Sequence, residues 1–167
     1  QETITISDNE SAPTVTLTAS ASTIAENSGD TITLTATLST ATSANVTVSI
    51  GVSGVSEGGG DINTVSDIVI SAGNTTGTAS FTPIDNAFYD GDLTAVIDVT
   101  GVSGGSATES GTQQVSISLT DNETAPTVSL SSNASSITEN SSGSITLTAS
   151  LSGTTTAAVT VTLGTAG

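Results

Sequence analysis

Apolar residues alternate with Thr or Ser along most of the chain. Ile32, Leu34, Ala36 and Leu38 recur at a period of two, as do Val46, Val48 and Ile50, and again Val115, Ile117 and Leu119. That period puts the apolar set on one face and the hydroxyls on the other, the pattern of a half-buried antiparallel strand. Gly, Asn and Asp break the runs apart. The spacing predicts seven strands near 14–20 (with a short continuation at 22–25), 31–38, 45–52, 66–71, 76–83, 93–100 and 114–120. No helical period is visible. The expected fold is all-β, an immunoglobulin-like seven-stranded antiparallel β-sandwich.

The pattern also repeats at long range. "DNESAPTVTLTASASTIAENSGDTITLTATLS" from Asp8 returns as "DNETAPTVSLSSNASSITENSSGSITLTASLS" from Asp121, a period of 113. The match continues ungapped to "NVTV" (Asn45–Val48) against "AVTV" (Ala158–Val161), and "QETITISDNE" at the start matches the segment ending at Glu123. Such a period is too long for a solenoid unit and suits tandem domains. The expected organisation is the last strand of one repeat in 1–10, a complete sandwich in 11–123, and the first three strands of a following repeat in 124–167. The expected setting is a window cut from a longer array.

Composition then narrows the chemistry. The chain has sixteen acids, no Lys, Arg or His and no Cys, for a net charge of −16. Without basic residues there is no electrostatic footprint for nucleic acid or anionic lipid, so neither is an expected partner. Without His or Cys there is no ordinary triad, thiolate nucleophile or zinc site. No apolar run is long enough for a helical membrane span. "YDGD" at 89–92 superficially suggests a glycosidase carboxylate pair, but no aromatic platform accompanies it. Enzymatic activity is not expected. The only aromatics are Phe81, Phe88 and Tyr89, so the core must be thin and aliphatic.

Where the acids fall is more telling. If consecutive strands alternate up and down, one pole carries Glu26 and Asp30, then Glu57 and Asp61, then Asp85, Asp90 and Asp92, and finally Asp121 and Glu123. The turns of the opposite pole contribute Glu109 alone. Carboxylates crowded without counter-charge raise one another's pKa or force loops apart, and a hard cation relieves them. Calcium takes six to eight oxygen ligands from flexible loops and is the expected ion. Taken singly, Asp61, Asp85 and Asp121 also suit plain turn capping. Asp67 and Asp98 read as outward-facing strand residues, and Glu109 as a solubilising charge.

"IAENSGDTITLTATLS", "EGGGDI", "IDNAFYDGDLTAVIDV" and "VSISLTDNE" together resemble the Calx-beta domain, over the whole of 11–123 and again over its first half. The resemblance implies a calcium-binding sandwich whose ligands map onto Glu26, Asp61, Asp85, Asp90, Asp121 and Glu123. Asp92 joins them by position, and Asp8, Glu10 and Glu139 are the corresponding candidates at the junctions with neighbouring repeats. It implies a non-enzymatic calcium-binding repeat of a bacterial extracellular filament or adhesin stalk. The expected partners are neighbouring repeats or other copies of the chain, head to tail, with surface glycans or other cells as a further class. A calcium-sensing regulatory module and an accessory domain of a secreted enzyme are the alternatives. The Thr-x-Thr ranks and the Asn-x-Ser/Thr triplets are expected in any chain so rich in Ser and Thr.

Overall fold

The computed structural model describes residues 1–5, 7 and 9–165. The period-two runs form β1 (Thr14–Ala19), β2 (Thr23–Ala25), β3 (Ile32–Leu38), β4 (Val46–Ser53), β5 (Ile68–Ile70), β6 (Thr76–Phe81), β7 (Leu93–Ser103), β8 (Thr108–Glu109) and β9 (Gln114–Thr120). They make two sheets, ordered β6-β3-β1-β8 and β2-β9-β7-β4-β5. The fold is an all-β, immunoglobulin-like sandwich. Its core is aliphatic, with Val15, Leu17, Leu34, Ala36, Val46, Val48, Ile97 and Ile117 among its members, and Phe81 is the one aromatic side chain buried in it.

The first predicted strand divides between the sheets. β1 pairs antiparallel with β3, the chain crosses over at 20–22, and β2 then pairs parallel with β9. Ser20 donates to the Thr33 carbonyl and Ser118 to the Ser22 carbonyl, so both ladders stay hydrogen-bonded up to the crossing. Such a crossing closes an open sandwich edge, which would otherwise expose unpaired N–H and C=O groups.

Two expectations about single residues are corrected. Asp67 is exposed but not merely solvated: β4 and β7 slip register at Ser49/Ile50, and the Asp67 carboxylate accepts from the Ile50 N–H (3.0 Å) and the Ser49 hydroxyl (3.2 Å). A bulge frees a backbone donor, and a nearby acid satisfies it. A Cβ at Gly51 would sit 2.6 Å from Thr100 Cγ2, so the Thr100 side chain would have to turn away. Glu109 is half-buried, and its carboxylate accepts from the Gln113 N–H, holding the turn between β8 and β9.

Hydrogen bonds group the turns into two poles. At one pole the N–H of Ile84 donates to the Asp61 carbonyl and the N–H of Asn63 to the Thr82 carbonyl. At the other, Gly73 donates to the Thr42 carbonyl and Ala72 to the Asn45 side chain. Beyond Glu123, β10 (Val128–Ser132) pairs with β11 (Leu147–Leu151), Val128 opposite Leu151. The equivalent pair one period earlier is Val15 opposite Leu38. Residues 158–163, expected to form a third strand of that unit, carry none. A strand needs a ladder partner, and among the described residues no β5- or β7-like strand stands beside it.

Candidate metal centre

The parallel pairing of β2 with β9 builds the centre. Ala25 sits opposite Thr120, so the residues that follow, Glu26 and Asp121, emerge side by side. A 3-10 turn at Glu26–Ser28, ended by Gly29 in the left-handed conformation, holds Glu26 at the rim. One carboxylate oxygen each from Glu26, Asp121 and Glu123 lie within 4.8 Å of one another, and all three residues are half-buried.

Backbone donors hold Asp121 in place. Its Oδ2 accepts from the N–H groups of Asp90 (2.7 Å) and Gly91 (2.6 Å), while its Oδ1 accepts from the Glu123 N–H (2.8 Å). Gly91 presents its N–H from a left-handed backbone (φ 75°) that a side chain would strain. Asp121 in turn donates its own N–H to Asp92 Oδ1 (3.1 Å). With Oδ2 saturated, the free lone pair of Oδ1 is the one available to a cation.

The charge balance is incomplete. Glu123 Oε2 is buried and has no hydrogen-bond partner. Burial pushes the Glu26 carboxyl up to about 7; the Asn86 N–H opposes this, and Glu123 and Asp121 reinforce it. Burial also acts to raise Asp121, but the N–H groups of Glu123, Gly91 and Asp90 outweigh it and hold the carboxyl below its usual range. Something positive, a proton or a cation, belongs between Glu26 and Glu123. Calcium–oxygen distances near 2.4 Å put opposed ligands about 4.8 Å apart, which this group of oxygens satisfies.

A pH prediction follows with a definite sign. Between 4.5 and about 7 the folded, ion-free protein keeps a proton on Glu26 that the unfolded chain has released. Stability from this group is therefore full below 4.5 and is lost as pH rises toward about 7. In chelator, the melting temperature should fall across that window. Calcium should flatten the slope, and Glu26→Gln should remove the share due to this residue. Equal slopes for Glu26→Gln and the parent chain would contradict the assignment.

The other candidates lie around this group rather than in it. Asp90 and Asp92 are exposed and reach the group through their hydrogen bonds with Asp121. Asp85 is exposed in the same segment. Asp61 closes its own glycine-rich turn, its Oδ2 accepting from Ser56 (2.6 Å), which is turn capping. Glu57 does similar work, accepting from the Val65 N–H. Glu10 lies in the segment leading into β1, beside the turns of the opposite pole, where it shares a surface recess with Thr42 and Gly105. Glu139 is exposed in the unit after Glu123, and Asp8 lies outside the described residues.

Sequence reasoning missed two further residues at this pole. Thr156 donates its hydroxyl to Asp90 Oδ1 (3.1 Å) and Thr154 to the Ala87 carbonyl (3.4 Å). These threonines belong to the turn after β11, so the next unit rests on the loop that carries Asp90. Nothing in a run of threonines signals which surface it will face.

The fold and its acidic pole define a class: an immunoglobulin-like sandwich whose strand ends converge on a group able to hold a metal ion. Among solved structures, the apo-form Calx CBD1 domain is similar, with a TM-score of 0.52 and 15% identity over 66% of this chain and 99% of that domain. CBD12 from CALX1.2 is similar with a TM-score of 0.50 and 16% identity, over 60% of this chain and 41% of that one. The fold is Calx-beta-like. No family model matches the chain, and no curated protein matches it in sequence.

Proposed function

We propose that this chain is a non-enzymatic, calcium-binding structural repeat of a bacterial extracellular filament or adhesin stalk. Calcium at Glu26, Asp121 and Glu123 stiffens the junction with the next repeat. The observation that carries this reading is the buried, unpartnered Glu123 Oε2 set among two more carboxylates in a chain with no basic side chain. An isolated buried charge is costly, and an ion supplied from outside relieves it where the Glu26 proton, held up to about 7, is lost. Asp90 and Asp92 are placed to add ligands or to hold waters on the ion.

The junction enters through a hydrogen-bonded path. Thr156 bonds Asp90, whose N–H bonds Asp121, so an ion that orders Asp121 also orders the loop on which the next unit rests. Outside the cell millimolar calcium suits such a device. The long internal repeat supports an array, and no helix of the described residues is long and apolar enough to cross a membrane. A calcium-sensing regulatory module is the second reading, favoured by the likeness to the Calx domains.

Tyr89, the only tyrosine, adjoins Asp90 and offers a direct test. Terbium bound at the pole should luminesce when Tyr89 is excited, and calcium should displace it far better than magnesium. Terbium emission no different from that of a Tyr89→Phe variant would count against the site.

A further inference from the structure

One peptide bond at the acidic pole is chemically unlike the rest. Asp90–Gly91 is the only Asp-Gly step in the sequence, and there is no Asn-Gly step. With no side chain on Gly91, its nitrogen is the least hindered of those that follow an Asp, and the freest to attack the preceding carboxyl. The fold holds that nitrogen still. The N–H groups of Asp90 (2.7 Å) and Gly91 (2.6 Å) both donate to Asp121 Oδ2, and the Asp121 N–H donates back to Asp92 Oδ1 (3.1 Å). The exposed Asp90 carboxylate is held away as well, its Oδ1 accepting from the Thr156 hydroxyl (3.1 Å). Two successive N–H groups converge on one oxygen because Gly91 is left-handed, at φ 75°. A Cβ there would meet nothing closer than the Tyr89 hydroxyl at 3.8 Å, so conformation rather than space demands the glycine. The residue that lets this clasp form is the one that leaves the bond open to attack.

We propose that Asp90–Gly91 is a site of spontaneous isoaspartate formation, held in check by the Asp121 hydrogen bonds and disruptive of the acidic pole once it reacts. In the first step the Gly91 nitrogen bonds to Asp90 Cγ and one Cγ–O bond breaks. That oxygen leaves as water, with the amide proton and one proton from solvent, and a cyclic imide remains. Water then opens the ring. Opening at the Asp90 main-chain carbonyl routes the backbone through the side chain and adds one methylene to it. Water is the only co-reactant. The attack needs a Gly91 nitrogen released from its acceptor and a carboxyl rotated over it, so it proceeds from a locally opened pole. The added methylene carries the Gly91 N–H off Asp121 Oδ2, and Asp121 loses a donor that holds it beside Glu26 and Glu123. The proposal stands on the hydrogen bonds of the ion-free fold and does not require calcium.

The 167-residue chain, aged at neutral pH in chelator beside a peptide of residues 88–94, provides the test. Isoaspartate is counted by methyl transfer from an isoaspartyl methyltransferase, and Asp90→Glu gives the background from all other positions. The folded parent should react about ten- to a hundredfold more slowly than the peptide, the cost of opening a hydrogen bond to a charged acceptor. Asp121→Ala should bring the folded chain close to the peptide rate. Where Asp121→Ala does not fold, hydrogen exchange of the Gly91 amide in the parent decides, since protection from exchange should match protection from isomerisation. A folded parent that reacts as fast as the peptide, or a folded Asp121→Ala chain that reacts no faster than the parent, would overturn the proposal. So would a Gly91 amide that exchanges as freely as in the peptide. Because chelator is present throughout, failure of the calcium site would leave these outcomes untouched.

Discussion

Saturating calcium should raise the melting temperature of this chain by roughly 10 °C. A ligand that binds only the native state stabilises it by RT ln(1 + [L]/Kd), about 2.7 kcal/mol at 100-fold excess over Kd. For a unit of this size each kcal/mol moves the midpoint by about 4 °C. The core is short of aromatics, and total stabilities of about 5–15 kcal/mol are usual, so the ion supplies a large share. Glu123→Gln should lose most of the calcium shift, because it removes the charge whose Oε2 lies unpartnered. The same change should stabilise the chelated protein slightly, since it relieves repulsion at the pole. Glu109→Gln should keep the full shift, because Glu109 holds the turn between β8 and β9 instead. Calcium and chelator melts that overlap would refute the prediction.

Phe81→Ala should cost more than any other truncation in the core, about 3–5 kcal/mol, or roughly 12–20 °C in melting temperature. Phe81 is fully buried at the end of β6, opposite Ile32, and is the largest side chain of a core otherwise built from aliphatic residues. Phe88→Ala, by contrast, should change stability by no more than about 0.5 kcal/mol, because Phe88 is substantially exposed. Chemical denaturation of the two variants decides it. A Phe81→Ala loss no larger than that of Phe88→Ala would mean that the sheets collapse onto the gap, contrary to a rigid two-layer core.

The architecture was legible because the alternation is strict. In β3 every second residue from Ile32 to Leu38 is buried, and the intervening threonines face outward or toward the rim. Such a strand declares both its type and its inward face. β8 was not anticipated, since two residues carry no period, and it exists only because Thr108 and Glu109 meet β1. β7 runs on to Ser103, past the predicted end near 100, because the bulge at Ser49/Ile50 lets pairing with β4 resume beyond Thr100. Bulges depend on a partner strand and leave little trace in one segment of sequence.

The site was legible only in outline. Counting acids by turn points to one pole, but it cannot rank residues that share a pole. Glu26 and Asp121 are neighbours because a parallel ladder sets Ala25 against Thr120, and parallel pairing across a crossing strand is not written in any local pattern. Asp61 looked equivalent to Asp121 in sequence, each beside a flexible turn. The difference lies in what their oxygens meet: Asp61 closes back on Ser56, while Asp121 faces Glu26 and Glu123.

The most direct test of the account is terbium titration of a chain carrying both Glu26→Gln and Glu123→Gln. Both changes keep the shape of the pole and remove two of its three charges. The account predicts Tyr89-sensitised emission that saturates and is displaced by calcium in the parent chain, and is lost in the double variant. Equal emission and equal calcium displacement in the two proteins would contradict it.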